Sequence, residues 1–201
     1  MRLKLLVLPV LAVSMLTVSA RAFSQAVPAY QREKTWPILL GVGPSGYNLD
    51  EGHGLMYGGT MWIDVYPGFL PRVLQGLGGE AEARDISLDR SPLRPNARQD
   101  TVEGGPIYAW RHYHDIHPYA KYLIGHGSID FAGSPTYSHD TRSFWGAGGG
   151  IEYRFYRQFW ARVDYEHQTW QPLFGSNFHF KPQGLTLGVA FDFAHPLPRH
   201  R

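Results

Sequence analysis

The chain has 201 residues, no cysteine, 23 glycines, 14% aromatic residues and a formal net charge of +2. The missing cysteines exclude a disulfide framework and any cysteine-based metal or redox centre. The length suits one domain with a sizeable core or one small barrel, and the glycine and aromatic content suits many strands joined by tight turns.

The positive charge belongs to the N-terminus. Arg2 and Lys4 precede an apolar run from Leu5 to about Val18, and small residues follow at Ala20, Ala22, Ser24 and Ala26. This is the pattern of an export signal cleaved after Ala22 or Ala26, with Ala26 preferred. At about fourteen residues the run is short of the roughly twenty that a membrane-spanning helix needs. Residues 1–26 hold three of the 19 basic residues and no acid, which leaves 16 basic against 17 acidic residues. The remainder therefore gives no electrostatic case for nucleic-acid binding. No other stretch approaches a transmembrane helix, so a membrane-embedded mature chain must cross as strands.

After a short lead-in over 27–34, the chain alternates. The first strand is expected over about 35–47, with Ile38, Leu40 and Val42 opposite Leu39, Gly41 and Gly43. A second spans 56–66, with Tyr57, Met61, Ile63 and Val65 opposite Gly58, Thr60, Trp62 and Asp64. Pro67, Gly68 and Pro71 mark a short turn. Further strands are expected over about 73–86, 100–112, 119–131, 141–155 and 159–170. The last, Gly184 to Phe193, puts Leu185, Leu187, Val189, Phe191 and Phe193 on one face, and Gly184, Thr186, Gly188, Ala190 and Asp192 on the other. The connections after the odd strands are expected to be long and those after the even strands short, an asymmetry of barrels with loops at one end and turns at the other.

Alternation alone does not say which face is inside. The charged parity is also the small-residue parity: Gly41, Gly58, Gly78, Gly125, Gly146, Gly148 and Gly188 share it with Asp64, Glu80, Glu82, Arg84, Glu103, Arg111, Lys121, Glu152, Arg154, Arg162, Asp164 and Glu166. A narrow interior needs small residues beside the few large ones on that face, Trp62, Phe144 and Trp160. Mixed signs on adjoining strands allow the buried charges to pair. These twelve charged residues are therefore expected to form a lumen network. The opposite parity, with Tyr108, Trp110, Tyr122, Trp145, Tyr153, Tyr165, Phe191 and Phe193, is expected to face lipid, with aromatics at its borders.

The export signal, the eight amphipathic strands, the run Gly146-Ala-Gly-Gly-Gly150 and the final Val189-Ala-Phe-Asp-Phe193 resemble the small outer-membrane β-barrel proteins, the OmpA/OmpX-like barrels, over residues 35–193. The resemblance implies an all-β, eight-stranded antiparallel transmembrane up-and-down barrel in the bacterial outer membrane. It also implies outer-membrane lipids, lipopolysaccharide and the barrel-assembly machinery as partners, with Phe191 and Phe193 as the assembly signal. The family's signal normally ends the chain, whereas residues 194–201 follow here. That tail is too short for a cell-wall-binding domain.

Three motifs invite chemistry. His112, His114 and His117 could offer nitrogens to a metal, though they form no HExxH-type pattern, and an interfacial turn is the plainer reading. His126 and Ser128 share a strand face, with Asp130 and Asp140 nearby, which is similar to the His-x-Ser pair of outer-membrane lipid A deacylases. The Asn that follows the Ser in that family is Ile129 here. Arg90, Arg94 and Arg98 could hold lipopolysaccharide phosphates, but Asp85, Asp89 and Asp100 lie close in sequence. The sequence thus points to a monomeric, non-enzymatic outer-membrane barrel without cofactor, with at most a narrow pore and a structural, adhesive or interaction role through its outer loops. The alternatives are a soluble secreted lipocalin-like barrel for an apolar ligand and a lipid A deacylase-like hydrolase.

Overall fold

The computed structural model describes residues 37–49, 54–88, 96–111, 115–132, 138–173 and 180–193. The expected export signal, the lead-in, the C-terminal tail, Arg90, Arg94, His112 and His114 lie outside these residues. Eight strands follow in order: β1 (Ile38–Asn48), β2 (Leu55–Val65), β3 (Leu77–Leu88), β4 (Asn96–Ala109), β5 (Ile116–Ala132), β6 (Ser138–Tyr156), β7 (Phe159–Trp170) and β8 (Gln183–Asp192). Each pairs antiparallel with its neighbours, and β1 pairs with β8, closing the barrel. Closure leaves the sheet without an edge, so every strand has a hydrogen-bonding partner on both sides.

The parity read from the sequence is the parity of burial. In β2, Met56, Thr60, Trp62 and Asp64 are buried, while Leu55, Tyr57, Met61 and Ile63 are exposed. In β8, Thr186, Ala190 and Asp192 are buried, and Leu185, Leu187 and Val189 are exposed. Apolar side chains therefore cover the outer wall and charged ones fill the lumen. This inverts a soluble ligand-binding barrel, whose apolar face turns inward, and counts against that alternative.

Most strand boundaries differ from expectation by one to four residues, and three places show why. β4 begins at Asn96 rather than Asp100, because Arg98 and the buried, inward Gln99 are polar and carry no hydropathic signal. β3 begins at Leu77 rather than Val73. The residues before it form two successive turns, closed by Leu70 N–H to the Pro67 carbonyl at 3.5 Å and Leu74 N–H to the Pro71 carbonyl at 2.8 Å, the second being a 3₁₀ turn over Arg72–Leu74. Pro67 and Pro71 have no N–H to give to a ladder. The β2–β3 connection is consequently eleven residues, 66–76, rather than a short turn, and it exceeds the six-residue β1–β2 connection, 49–54. The even connections are not uniformly the shorter ones. At the third difference, between β6 and β7, the register shifts between Arg154 and Tyr156. One residue is inserted there, and Phe155 and Tyr156 both end up exposed.

Glycines make room for the large lumen residues. A Cβ on Gly41 would lie 2.2 Å from the Trp62 ring, and one on Gly188 would lie 2.4 Å from it, so the indole occupies the space left by two glycines on β1 and β8. Gly127 does the same for Trp170, at 2.2 Å. Gly41→Leu should destabilise the barrel by about 1–3 kcal/mol through overpacking, measured by urea unfolding in lipid vesicles. Adding Trp62→Ala should recover part of that loss, as a double-mutant cycle would show.

Candidate functional site

The lumen is organised around three cations. Lys121 Nζ, on β5, lies 3.0 Å from Glu80, 2.7 Å from Glu82, 2.9 Å from Asp164 and 3.0 Å from Glu166. Arg84 meets Glu82, Glu103 at 3.4 Å and Glu166 at 3.3 Å. Arg162 reaches Asp64 at 3.1 Å, Glu80 at 2.7 Å, Glu152 at 3.8 Å and Asp164 at 3.6 Å. These side chains come from β2, β3, β4, β5, β6 and β7 and are almost fully buried. Moving such groups out of water costs several kcal/mol per ion, which only close pairing and added hydrogen bonds offset.

Neutral groups supply those added bonds. Arg162 Nε donates to Tyr119 Oη at 2.7 Å, and Tyr119 donates to Asp164 at 2.5 Å. Arg84 Nε donates to Thr60 at 3.2 Å, and Ser45 shares hydrogen bonds with Thr60 at 2.5 Å and Thr186 at 2.7 Å. Gln168 donates to Glu166 at 2.7 Å and accepts from Trp170 Nε1 at 2.9 Å. Arginine faces also stack on rings: Arg84 lies 4.1 Å from the Tyr47 centroid, and Arg162 lies 4.4 Å from Tyr119 and 4.8 Å from Trp62. Carboxylate oxygens of Glu82, Glu103 and Glu166 approach within 4.8 Å of one another, a spacing that suits a divalent ion. The guanidinium of Arg84 contacts all three and supplies the positive charge they face.

Apolar clusters flank this layer. Toward the loop end, Tyr47, Leu49, Met56, Ile86, Ile129, Phe144, Trp170, Leu173 and Phe180 pack together, with Phe144 and Trp170 stacked at 4.9 Å. Toward the turn end lie Leu39, Trp62, Tyr66, Ile107, Tyr119, Trp160 and Ala190. The described lumen is thus a packed core with an ionic middle.

Of the twelve residues expected in the network, ten meet there. Arg111 and Arg154 do not join the three-cation cluster. Arg111 sits at the turn end with its guanidinium 3.9 Å from the Tyr66 centroid. Arg154 pairs with the half-exposed Asp115 at 2.7 Å and lies over Trp160 at 5.5 Å. Their inward parity placed them correctly on the strand, but their height in the barrel put them at its mouth. Thr60 and Thr186, which the sequence places on the polar face, join the network with Tyr119, Ser45, Gln99 and Gln168, whose inward parity is the sequence signal for them.

The outer wall changes character along its height. Val42, Met61, Ile151, Val163 and Val189 form its apolar girth, and all are exposed. Aromatics border it at the turn end, where Tyr108, Trp110, Tyr153, Phe155 and Phe159 are exposed, and Phe193 stands 4.8 Å from Phe191. Toward the loop end the outward positions become polar. Arg98 binds Asp85 at 2.9 Å and Asp100 at 3.2 Å, so neighbouring carboxylates hold its charge. Asp130 pairs with His139. His126 shares a hydrogen bond of 3.1 Å with Ser143 across the β5–β6 ladder, while Ser128 stands opposite Thr141. The His126 Nδ1 contact of a Ser128 dyad is therefore made with Ser143 instead. His126 and Ser143 edge a crevice of about 730 Å³ whose lower rim is Tyr122, Ile124 and Trp145. His117, from the histidine cluster, packs its ring 4.6 Å from Trp160.

A closed barrel with an apolar outer girth, aromatic borders and a charged interior is a membrane-spanning barrel, because each strand's backbone pairs with both neighbouring strands while the lipid-facing side chains are apolar. Residues 9–193 match the family model described as outer membrane protein beta-barrel domain, and the chain belongs to that family, in the bacterial outer membrane. Solved structures of similar fold include Neisserial surface protein A (TM-score 0.57, 12% identity, 79% of this chain and 97% of that one). Ail of Yersinia pestis is similar at TM-score 0.57 and 16% identity, covering 79% and 99%. OprG of Pseudomonas aeruginosa is similar at TM-score 0.50 and 10% identity, covering 80% and 97%. No curated protein matches the sequence.

The burial difference between the two classes of ion pair is measurable. Arg84→Met leaves buried carboxylates without their cation and should cost about 3–5 kcal/mol. Arg154→Met, whose partner is half exposed, should cost below about 1 kcal/mol. Urea titration of the refolded proteins, followed by heat-modifiable migration, tests both.

Proposed function

We propose that this protein is a monomeric, non-conducting outer-membrane barrel with a structural or interaction role, acting through its loop end and outer wall rather than by passing solutes. The observation that carries this reading is the filled lumen: the Lys121, Arg84 and Arg162 network stands between two apolar clusters. Closure of β1 on β8 leaves no strand edge to recruit a second copy, which supports the monomer. Ail, a barrel of similar fold, is an attachment invasion locus protein and has also been solved in complex with the heparin analogue sucrose octasulfate, which supports an interaction role. In this chain the loop-end arginines Arg98 and Arg142 are paired with Asp85, Asp100 and Asp140, so lipopolysaccharide contact would rest on the wall and the remaining loop residues. The hydrogen bond of His126 to Ser143 weighs against a His126–Ser128 hydrolase.

Planar-bilayer recording of the purified protein should show no stepwise conductance, and open-channel steps would overturn the scaffold reading. Cells in which residues 89–95 and 133–137 are replaced by Gly-Ser should keep the heat-modifiable barrel and lose surface attachment to an abiotic or cellular substratum. Unchanged attachment would count against a loop-borne role.

For assembly, Phe191 and Phe193 are the proposed recognition residues. Their edge-to-face pair lies on the outer wall beside Phe159, at 5.3 Å from Phe191, and Phe193 N–H donates to the Ile38 carbonyl at 3.0 Å beside the β1–β8 closure. Phe193→Ala should lower the amount of barrel reaching the outer membrane without abolishing refolding in detergent. Normal outer-membrane levels would assign recognition elsewhere.

A further inference from the structure

The β2–β3 connection, residues 66–76, stands at the turn end, where β1 begins and β8 finishes. Turns at this end of an outer-membrane barrel are normally short and polar. This one has eleven residues and displays Phe69 at 61% exposure, Val73 at 80% and Leu74 at 43%. Large apolar side chains with that much open surface are a poor fit to water.

Two further observations say where they go. First, part of the segment's backbone bonds locally or to the barrel. Leu70 donates to Pro67 and Leu74 to Pro71, and the Gly76 carbonyl accepts from Ala109 N–H at 2.8 Å. The prolines bring no N–H of their own. A segment entering the boundary between headgroups and acyl chains benefits from this satisfaction, because water is scarce there. Second, the connection is fastened to the outside of the barrel. Tyr108 points outward from β4, and its hydroxyl donates to the Val73 carbonyl at 3.4 Å. The turn thus leans toward the lipid-facing wall, in line with the exposed border aromatics Tyr108, Trp110 and Phe155.

We propose that residues 66–76 form a foot that inserts Phe69, Val73 and Leu74 into the interfacial zone of the periplasm-facing phospholipid leaflet, continuing the barrel's lipid-contacting surface beyond its strands. The occupant follows from continuity. The foot adjoins a wall that already faces acyl chains, and amphipathic elements bury their apolar face at this depth. Such a foot would fix the height and tilt of the barrel against the leaflet, as interfacial anchors do for other spanning segments.

The absence of native cysteine makes the test direct. The full mature chain carrying Val73→Cys or Phe69→Cys is spin-labelled and refolded into phosphatidylcholine vesicles. Collision rates with dissolved oxygen and with a water-soluble nickel chelate are then read by electron paramagnetic resonance. Ile151→Cys on the apolar girth and Ser87→Cys at the polar loop end, both outward, serve as references. The foot labels should show an oxygen-to-nickel collision ratio shifted toward that of Ile151 and away from that of Ser87. A ratio equal to that at Ser87 places the turn in water and overturns the proposal. Labels shielded from both reagents would also overturn it, in favour of contact with protein. If Ile151 itself reads as aqueous, the membrane placement of the barrel fails as well, which separates that failure from failure of the foot alone. All these positions are exposed, so the substitutions leave the packed lumen intact.

Discussion

An eight-stranded barrel encloses too little space for both water and large side chains, and in this protein the space is filled by ions that compensate one another. Lys121 stands among four carboxylates, Arg84 among three and Arg162 among four. No single strand holds a complete set. The network exists only when six strands are in register, with Glu82 opposite Glu103 and Glu152 opposite Arg162. A slip of one residue would turn those charges onto the lipid face and bring the apolar girth inside. The ionic layer is therefore as much a device for choosing one register as a source of stability, and a buried pair replaced by apolar residues is often no less stable.

Filling the middle with charge has consequences for both ends. The apolar clusters above and below exclude water from the ion pairs, which strengthens their attraction in a medium of low dielectric. They also leave no wide aqueous route through the described lumen. What the protein presents to its surroundings is then its wall and its two rims, and the rims differ. The loop end is polar outside, with Arg98 held by Asp85 and Asp100 and with Asp130 on His139. The turn end displays more aromatic and apolar surface, with Trp110, Phe155 and Tyr156 exposed, together with Phe69, Val73 and Leu74 of the 66–76 connection. That polarity gradient along the outer wall suits a membrane with chemically distinct leaflets.

The fold was almost wholly legible in the sequence, because its dominant signal is local. A period of two decides which side chains face the same way, and glycine on the charged parity decides which way is in. Position along the barrel axis is not local. Arg111 and Arg154 share the inward parity of Arg162, yet they lie at the mouth, because strand tilt and register set height and neither is written in alternation. Gln99 hid the start of β4 because a buried polar residue reads as a loop residue. Phe155 and Tyr156 hid a bulge because two adjacent aromatics break the period that the eye follows.

The sequence by itself determined the strand count, the two faces and the membrane setting, since each rests on the chemistry of residues at fixed short spacing. Only the tertiary structure decided which partners meet. Lys121 finds acids from two other strands, His126 bonds Ser143 rather than Ser128, Trp62 fits between Gly41 and Gly188, and residues 66–76 fold back on Tyr108 instead of extending β3. These contacts join positions far apart in the chain and depend on the closure of β1 on β8 and on the register of every ladder between them. No pattern confined to one strand can encode them.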